Sequence, residues 1–131
     1  MFTIIFPVLN ERLRLESGVT RTVEYLRSIA FEDYEIIIVD NGSEDETPQI
    51  AEKLCKKYDK VRYERINVRG VGAAFRRGVE LSHGDVVGYM DIDLSTNIKH
   101  LGEAIHLFET QPEIQYINGS RFARESDTRG R

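Results

Sequence analysis

Cysteine occurs once, histidine three times, and no apolar run approaches the roughly 18 residues a helix needs to cross a bilayer. A single thiol excludes an internal disulfide framework and fits a reducing compartment. That thiol, Cys55, falls at helical spacing with Ile50, Ala51, Leu54 and Tyr58, which favours a packed structural role over a nucleophile. His83, His100 and His106 are dispersed, and none shares zinc-site spacing with Cys55. Basic charge is also scarce: a net charge of −4 argues against a broad electrostatic grip on nucleic acid, though not against a local arginine cluster around a phosphate. The amino terminus, "MFTIIFPVLNE", has no basic region ahead of its apolar run and does not read as a signal peptide. Internal repeats and low-complexity linkers are missing too. The expectation is one soluble, cytoplasmic domain whose membrane contact, if any, is peripheral.

What is present is alternation. "FTIIFPV", "YEIIIVD", "KVRYERI", "DVVGYMD" and "IQYING" read as five strands, and the third, shorter and more polar, belongs near a sheet edge. Between them "SGVTRTVEYLRSIA", "TPQIAEKLCKKY", "GAAFRRGVELS" and "NIKHLGEAIHLFE" read as helices, with Ser17, Thr47 and Asn97 as expected caps and Pro48 at a first helical position. Strands alternating with helices predict an α/β fold with a mainly parallel sheet covered on both faces. Residues 1–120 form the expected domain, and 121–131 a charged, flexible tail. The apolar fourth strand would expose its edge unless another strand pairs with it. Either the chain associates with a second copy there, giving a homodimer, or the fifth strand covers the edge.

In open parallel sheets ligands bind beyond the carboxyl ends of the strands. Four such ends are polar here: "PVLNE", "VDNGSEDET", "NVRGVG" and "MDIDLS". Three of them carry carboxylates, namely Glu11, Asp40 and the pair Asp91 and Asp93. If the pair lies in extended chain, both side chains point the same way. At about 6 Å and an effective dielectric near 20 their repulsion is roughly 3 kcal/mol, which a divalent cation would offset. Mg²⁺ or Mn²⁺ suits two carboxylates that leave the other positions to phosphate and water. A single Asp at a strand end would be an ordinary turn residue; two on an acidic rim favour the cation.

"DNGSEDET" could be a plain turn with Gly42 at positive φ, or Asp40 could accept hydrogen bonds from a nucleobase or ribose. "RGVGAAFRRG" follows the third strand, not the first, so a dinucleotide fingerprint is discounted. Gly70 and Gly72 would instead let backbone N–H groups approach an anion at a helix start, with Arg69, Arg76 and Arg77 adding positive charge, Arg77 being the one that could simply be solvated.

These motifs together resemble the family 2 glycosyltransferases of GT-A fold, and among them the polyprenyl-phosphate (dolichol-phosphate type) mannosyl- and glucosyltransferases. "FPVLNE", "IIIVDNGSEDET", "RGVGAAFRRG", "GDVVGYMDIDLS" and "INGSRF" carry the resemblance in order, across essentially the whole chain. It implies a Rossmann-like nucleotide-sugar-binding domain in which Pro7, Asn10, Glu11, Asp40, Gly42 and Ser43 border the nucleotide, joined by Arg69, Gly70 and Gly72. It further implies that Asp91 sits near ribose and metal, that Asp93 is the direct ligand of the D-x-D pair, and that Arg121 meets a phosphate of donor or acceptor. "DIDLST" leans slightly toward the glucosyl branch. Two departures stand out. Asn41 replaces the second acid that the family often has beside Asp40, and family members continue well past the "GSR" segment, so the acceptor side is expected to be incomplete.

The implied activity is inverting, metal-dependent transfer of a hexose from UDP-glucose or GDP-mannose type donors to a polyprenyl phosphate, at the cytoplasmic face of a membrane. For a chain this short, nucleotide and metal binding with little or no turnover is the expectation. Two rival readings are a receiver-type signalling domain, which also gathers acidic strand ends around Mg²⁺, and a non-catalytic nucleotide-binding module.

Overall fold

The two longest apolar runs become the two central strands, β1 (Phe2–Val8) and β2 (Tyr34–Asp40), with the expected bounds. All seven residues of β2 are buried, as the continuous run "YEIIIVD" requires when helices cover both faces of a parallel sheet. The computed structural model describes residues 1–94, 98–110 and 116–117, with backbone alone for Phe108, Tyr116 and Ile117. Asn97, Arg121 and the tail 121–131 therefore lie outside the described residues.

The remaining elements are α1 (Leu15–Ser28), α2 (Thr47–Lys57), β3 (Val61–Arg65), α3 (Val71–Leu81), β4 (Val86–Tyr89), α4 (Lys99–Thr110) and β5 (Tyr116–Ile117). The sheet runs β3-β2-β1-β4-β5 and every pairing is parallel. The polar β3 takes an edge, as expected. β5 pairs with β4 at Val87 and Gly88, so the covered-edge alternative holds and the open edge proposed for a homodimer is occupied there. No helix among the described residues is long and apolar enough to cross a membrane.

One sheet face packs Ile4, Phe6, Ile36 and Ile38 against α1, α2 and α4 through Val19, Leu26, Leu54 and Leu101. The other packs Ile5, Ile37 and Val39 against α3 through Ala74. Gly78 makes the second contact possible, because a Cβ there would fall 2.4 Å from Ile5 Cδ1. Each fully buried aliphatic side chain contributes about 1.5–3 kcal/mol, so stability is concentrated in β1, β2 and their helices, and the strand-end loops can serve another purpose.

Two expected caps are corrected. α1 starts at Leu15, before Ser17, because Glu11 O already accepts from Arg14 N and Leu15 N and the loop runs into the helix without a side-chain cap. α2 includes Thr47 as its first residue, with Pro48 next. Thr47 N donates to Asp45 Oδ1 (2.9 Å), while its hydroxyl is used elsewhere.

Candidate functional site

In this strand order the chain works outward from β1 to β3 and then returns to the far side of β1 with β4. The carboxyl ends of β1 and β4 therefore flank the topological switch point, where open α/β sheets bind ligands. Pairing between them ends at Ile5 with Tyr89, plus the bond from Met90 N to Ile5 O, so the strands part where Pro7 follows. Proline, with no N–H for a ladder, suits that position.

On the β1–β2 side the loops are stitched together. Asn10 N donates to Ser43 Oγ (2.8 Å), Glu44 N to Asn10 Oδ1 (2.8 Å) and Glu11 N to Thr47 Oγ1 (2.9 Å). Arg12 N adds a longer bond to Asp45 Oδ2 (3.3 Å). Asn10 has φ +54, a left-handed conformation that Asn tolerates better than most residues. Gly42, at φ +96, meets the expectation of positive φ. The Glu11 carboxylate pairs with Arg14 (2.8 Å).

Asp40 differs from its expected role as a presented acceptor. Its side chain has no exposed surface and is satisfied internally. Oδ1 accepts from Gly42 N (3.0 Å) and Ser43 N (2.7 Å), and Oδ2 from the Tyr63 hydroxyl (2.6 Å), with Arg65 Nη1 at 3.6 Å. The carboxylate shapes the 41–43 turn from within. Burial, and then the Asp40 carboxylate, push the Tyr63 hydroxyl up to about 12. Arg65 also donates to Ser43 O (2.9 Å), closing the brace.

The glycine segment is set from the same turn. Asn41 is buried, and with its amide in the orientation its surroundings favour, the nitrogen facing these carbonyls, it donates to Val68 O and Gly70 O, each at 3.0 Å. A carboxylate could not make those bonds, since it only accepts. The departure from two acids thus has a local purpose. Gly70 has φ +119, and Arg69, Gly70 and Gly72 are all exposed at the start of α3. Arg77 is committed to Glu64 (2.9 Å) and Glu80 (3.1 Å), so Arg69 and Arg76 are the exposed cations of that segment.

On the β4 side the expected extended geometry is corrected. β4 ends at Tyr89, and residues 91–94 form a turn closed by Leu94 N to Asp91 O (2.9 Å), with Leu94 at φ +54. Ile92 is buried between exposed Asp91 and Asp93. The core holds the middle residue, and both carboxylates are left toward solvent by a turn, not by strand alternation. Among the described residues no group of three or more His, Cys, Asp and Glu side chains converges to hold a metal. Two hard carboxylates that leave other positions to phosphate and water fit Mg²⁺ or Mn²⁺.

Sequence reasoning missed Tyr63, Arg65, Asp45 and Thr47. The one available signal was the unusual polarity of "VRYER", whose register sets Arg65 beside Asp40.

Comparison with known proteins accords with this geometry. Residues 3–131 match the family described as Glycosyl transferase family 2. The chain is 35% identical over 122 residues to glycosyltransferase AglD of Haloferax volcanii, covering 92% of this chain and 19% of that protein. It is 37% identical over 137 residues to the dolichyl-phosphate beta-glucosyltransferase of Homo sapiens, covering 96% of this chain and 42% of that one. The chain thus spans less than half the length of the curated relatives it matches. Among solved structures, the mannosyltransferase PcManGT from Pyrobaculum calidifontis, in complex with GDP-Man and Mn²⁺, superposes with a TM-score of 0.68 at 22% identity, over 82% of this chain and 32% of that one. At that identity the likeness speaks for the fold. The receiver reading has no such support, and its usual strand order, 2-1-3-4-5, differs from the order here.

Proposed function

The chain belongs to glycosyltransferase family 2 and has the GT-A fold, and from that premise we propose that it forms the donor-binding part of an enzyme transferring a hexose from a nucleoside-diphosphate sugar to a polyprenyl phosphate. The carrying observation is the rim itself. Stitched loops beyond β1 and β2 stand across the switch point from a turn that exposes Asp91 and Asp93. The resemblance of the human relative supports a lipid-phosphate acceptor, and the GDP-Man and Mn²⁺ in the archaeal neighbour support a nucleotide sugar and a divalent cation.

In this reading the nucleoside lies against the pre-formed surface of Pro7, Asn10, Glu11, Gly42 and Ser43, with Asp40 acting from beneath. Backbone N–H groups and Arg69 near Gly70 supply positive potential for phosphate. Asp91 and Asp93 would hold Mg²⁺ or Mn²⁺, which when bound neutralises the diphosphate leaving group. The acceptor phosphate, with a second pKa of about 6, is already ionised at neutral pH and attacks with inversion without a strong base from this chain. Arg121 completes the proposal as a phosphate contact, and the site of action is the cytoplasmic face of a membrane.

The test is calorimetry with UDP and GDP, with and without Mn²⁺. Nucleotide should bind, Mn²⁺ should tighten it, and Asp93→Asn should remove the Mn²⁺ effect while circular dichroism stays unchanged. Equal affinity of wild type and Asp93→Asn in Mn²⁺ would defeat the metal assignment. A thermal-shift panel of UDP, GDP, CDP and dTDP sugars then identifies the base.

A further inference from the structure

Gly18 sits in α1, where glycine costs about 1 kcal/mol relative to alanine, and no turn or positive φ calls for it. Its neighbour explains it. A Cβ on Gly18 would fall 2.3 Å from the carbonyl oxygen of Ile92, 2.8 Å from Ile92 Cδ1 and 3.0 Å from Ile92 Cγ1. The helix backbone and the backbone of the 91–94 turn are therefore in direct contact at the one residue that separates the two acids. Ile92 is buried there, Asp91 and Asp93 are exposed on either side of it, and Leu94 closes the turn in a left-handed conformation. The helix is otherwise regular at this point, with Gly18 N bonded to Arg14 O and Thr22 Oγ1 to Gly18 O.

We propose that Gly18 is a positioning residue for the cation: it is the seat that fixes how far the acid-bearing turn lies from the nucleotide loops. The idea rests on the metal-assisted reading of Asp91 and Asp93 given above. Because Leu15 N is bonded to Glu11 O, the helix that receives the turn is also continuous with the loop that meets Ser43 and Thr47. α1 thus joins the two halves of the rim. The clash at 2.3 Å is with backbone, so a side-chain rotation cannot relieve it and the whole turn must move outward.

The experiment compares Gly18→Ala with Gly102→Ala. Gly102 lies against the same helix, where a Cβ would fall 2.1 Å from the Tyr25 hydroxyl, but it is in α4 and meets the far end of a flexible side chain. Each variant is titrated with UDP and with GDP, with and without MnCl₂, at a temperature where circular dichroism shows it folded. In Gly18→Ala the metal-free nucleotide affinity should stay within roughly twofold of wild type, while the tightening by Mn²⁺ falls by about tenfold or more, as for residues that orient metal ligands from behind. Gly102→Ala should stay folded and keep the Mn²⁺ effect, because the Tyr25 hydroxyl can swing aside. A folded Gly18→Ala with full Mn²⁺ tightening overturns the proposal, and so does an equal loss in Gly102→Ala. If Gly18→Ala does not fold, Ile92→Ala decides, because it removes the Cδ1 and Cγ1 packing that holds the turn down on Gly18: retained tightening overturns the proposal and lost tightening supports it. Absence of any Mn²⁺ effect in wild type is a different result, since it removes the metal reading and the seat along with it.

Discussion

β2 buries a carboxylate at each end, and the two serve opposite purposes. Glu35 lies at its amino end on the face covered by α3, and Asp40 at its carboxyl end on the face covered by α2. Glu35 collects the Thr3 hydroxyl (2.8 Å), the His83 N–H (2.6 Å), the His83 ring (3.2 Å) and Arg62 (3.2 Å). Those partners are 27 to 48 residues away in sequence, so this carboxylate ties β1, β3 and the α3–β4 connection together. Two of Asp40's bonds instead go to residues two and three positions on, in its own loop. One acid holds distant chain in register; the other shapes a surface. Both acids are buried and both reach distant chain, Asp40 through Tyr63 and Arg65, but Asp40 also bonds the turn that follows it in sequence.

The sharpest way to break this contrast is Asp40→Ala. It strands two backbone donors and the Tyr63 hydroxyl, so about 3–5 kcal/mol of stability should go, read from urea unfolding. Nucleotide binding should go with it. Nucleotide affinity unchanged in calorimetry would mean the 41–43 turn does not depend on its brace. Next in size, Glu35→Gln should cost about 1.5–3 kcal/mol of stability yet leave nucleotide affinity unaltered. A parallel loss of binding would erase the distinction between the two ends.

The two ends should also fail at opposite extremes of pH. Burial pushes the Glu35 carboxyl up, but the His83 N–H, the Thr3 hydroxyl, the His83 ring and Arg62 together bring it below its ordinary 4.5. Its contribution is therefore complete above pH 4.5 and is lost as pH falls through the lower folded value, because the unfolded state then binds the extra proton. Urea midpoints should drop in acid for wild type and less steeply for Glu35→Gln. The smallest effect belongs to Tyr63, whose hydroxyl is raised from 10.0 to about 12. The unfolded chain loses that proton first, so the contribution is complete below pH 10 and declines toward pH 12. Tyr63→Phe should cost about 1 kcal/mol at neutral pH and flatten the alkaline decline. Identical alkaline curves would separate Tyr63 from the brace.

The same contrast explains what could be read from the sequence. β1 and β2 were legible to the residue because continuous apolar runs mark strands buried on both faces. The rim was legible because strand order puts polar ends together. The caps at Ser17 and Thr47 were misread, since α1 grows out of a preceding turn and Thr47 spends its hydroxyl on Glu11, 36 residues away. Long-range side-chain bonds leave no local periodicity, which is why Tyr63, Arg65 and Asp45 went unseen. Asp91 and Asp93 were found as a pair but given the wrong backbone, because buried Ile92 and left-handed Leu94 make a turn where the apolar run suggested a longer strand. The expectations for Asn97 and Arg121 fall outside the described residues.

Glu35 and Asp40 stand five positions apart, an odd number, and alternate residues of a strand face alternate sides. Inserting or deleting one residue between them would turn one carboxylate onto the wrong face, away from either Thr3 or Tyr63. Removing two would restore the faces but draw Asp40 about 7 Å back from Arg65 and the loops it braces. The length of β2 is therefore locked by parity and by distance together. Insertions should be tolerated in the exposed α1–β2 connection at the opposite end of the sheet long before a single residue can be added to this strand.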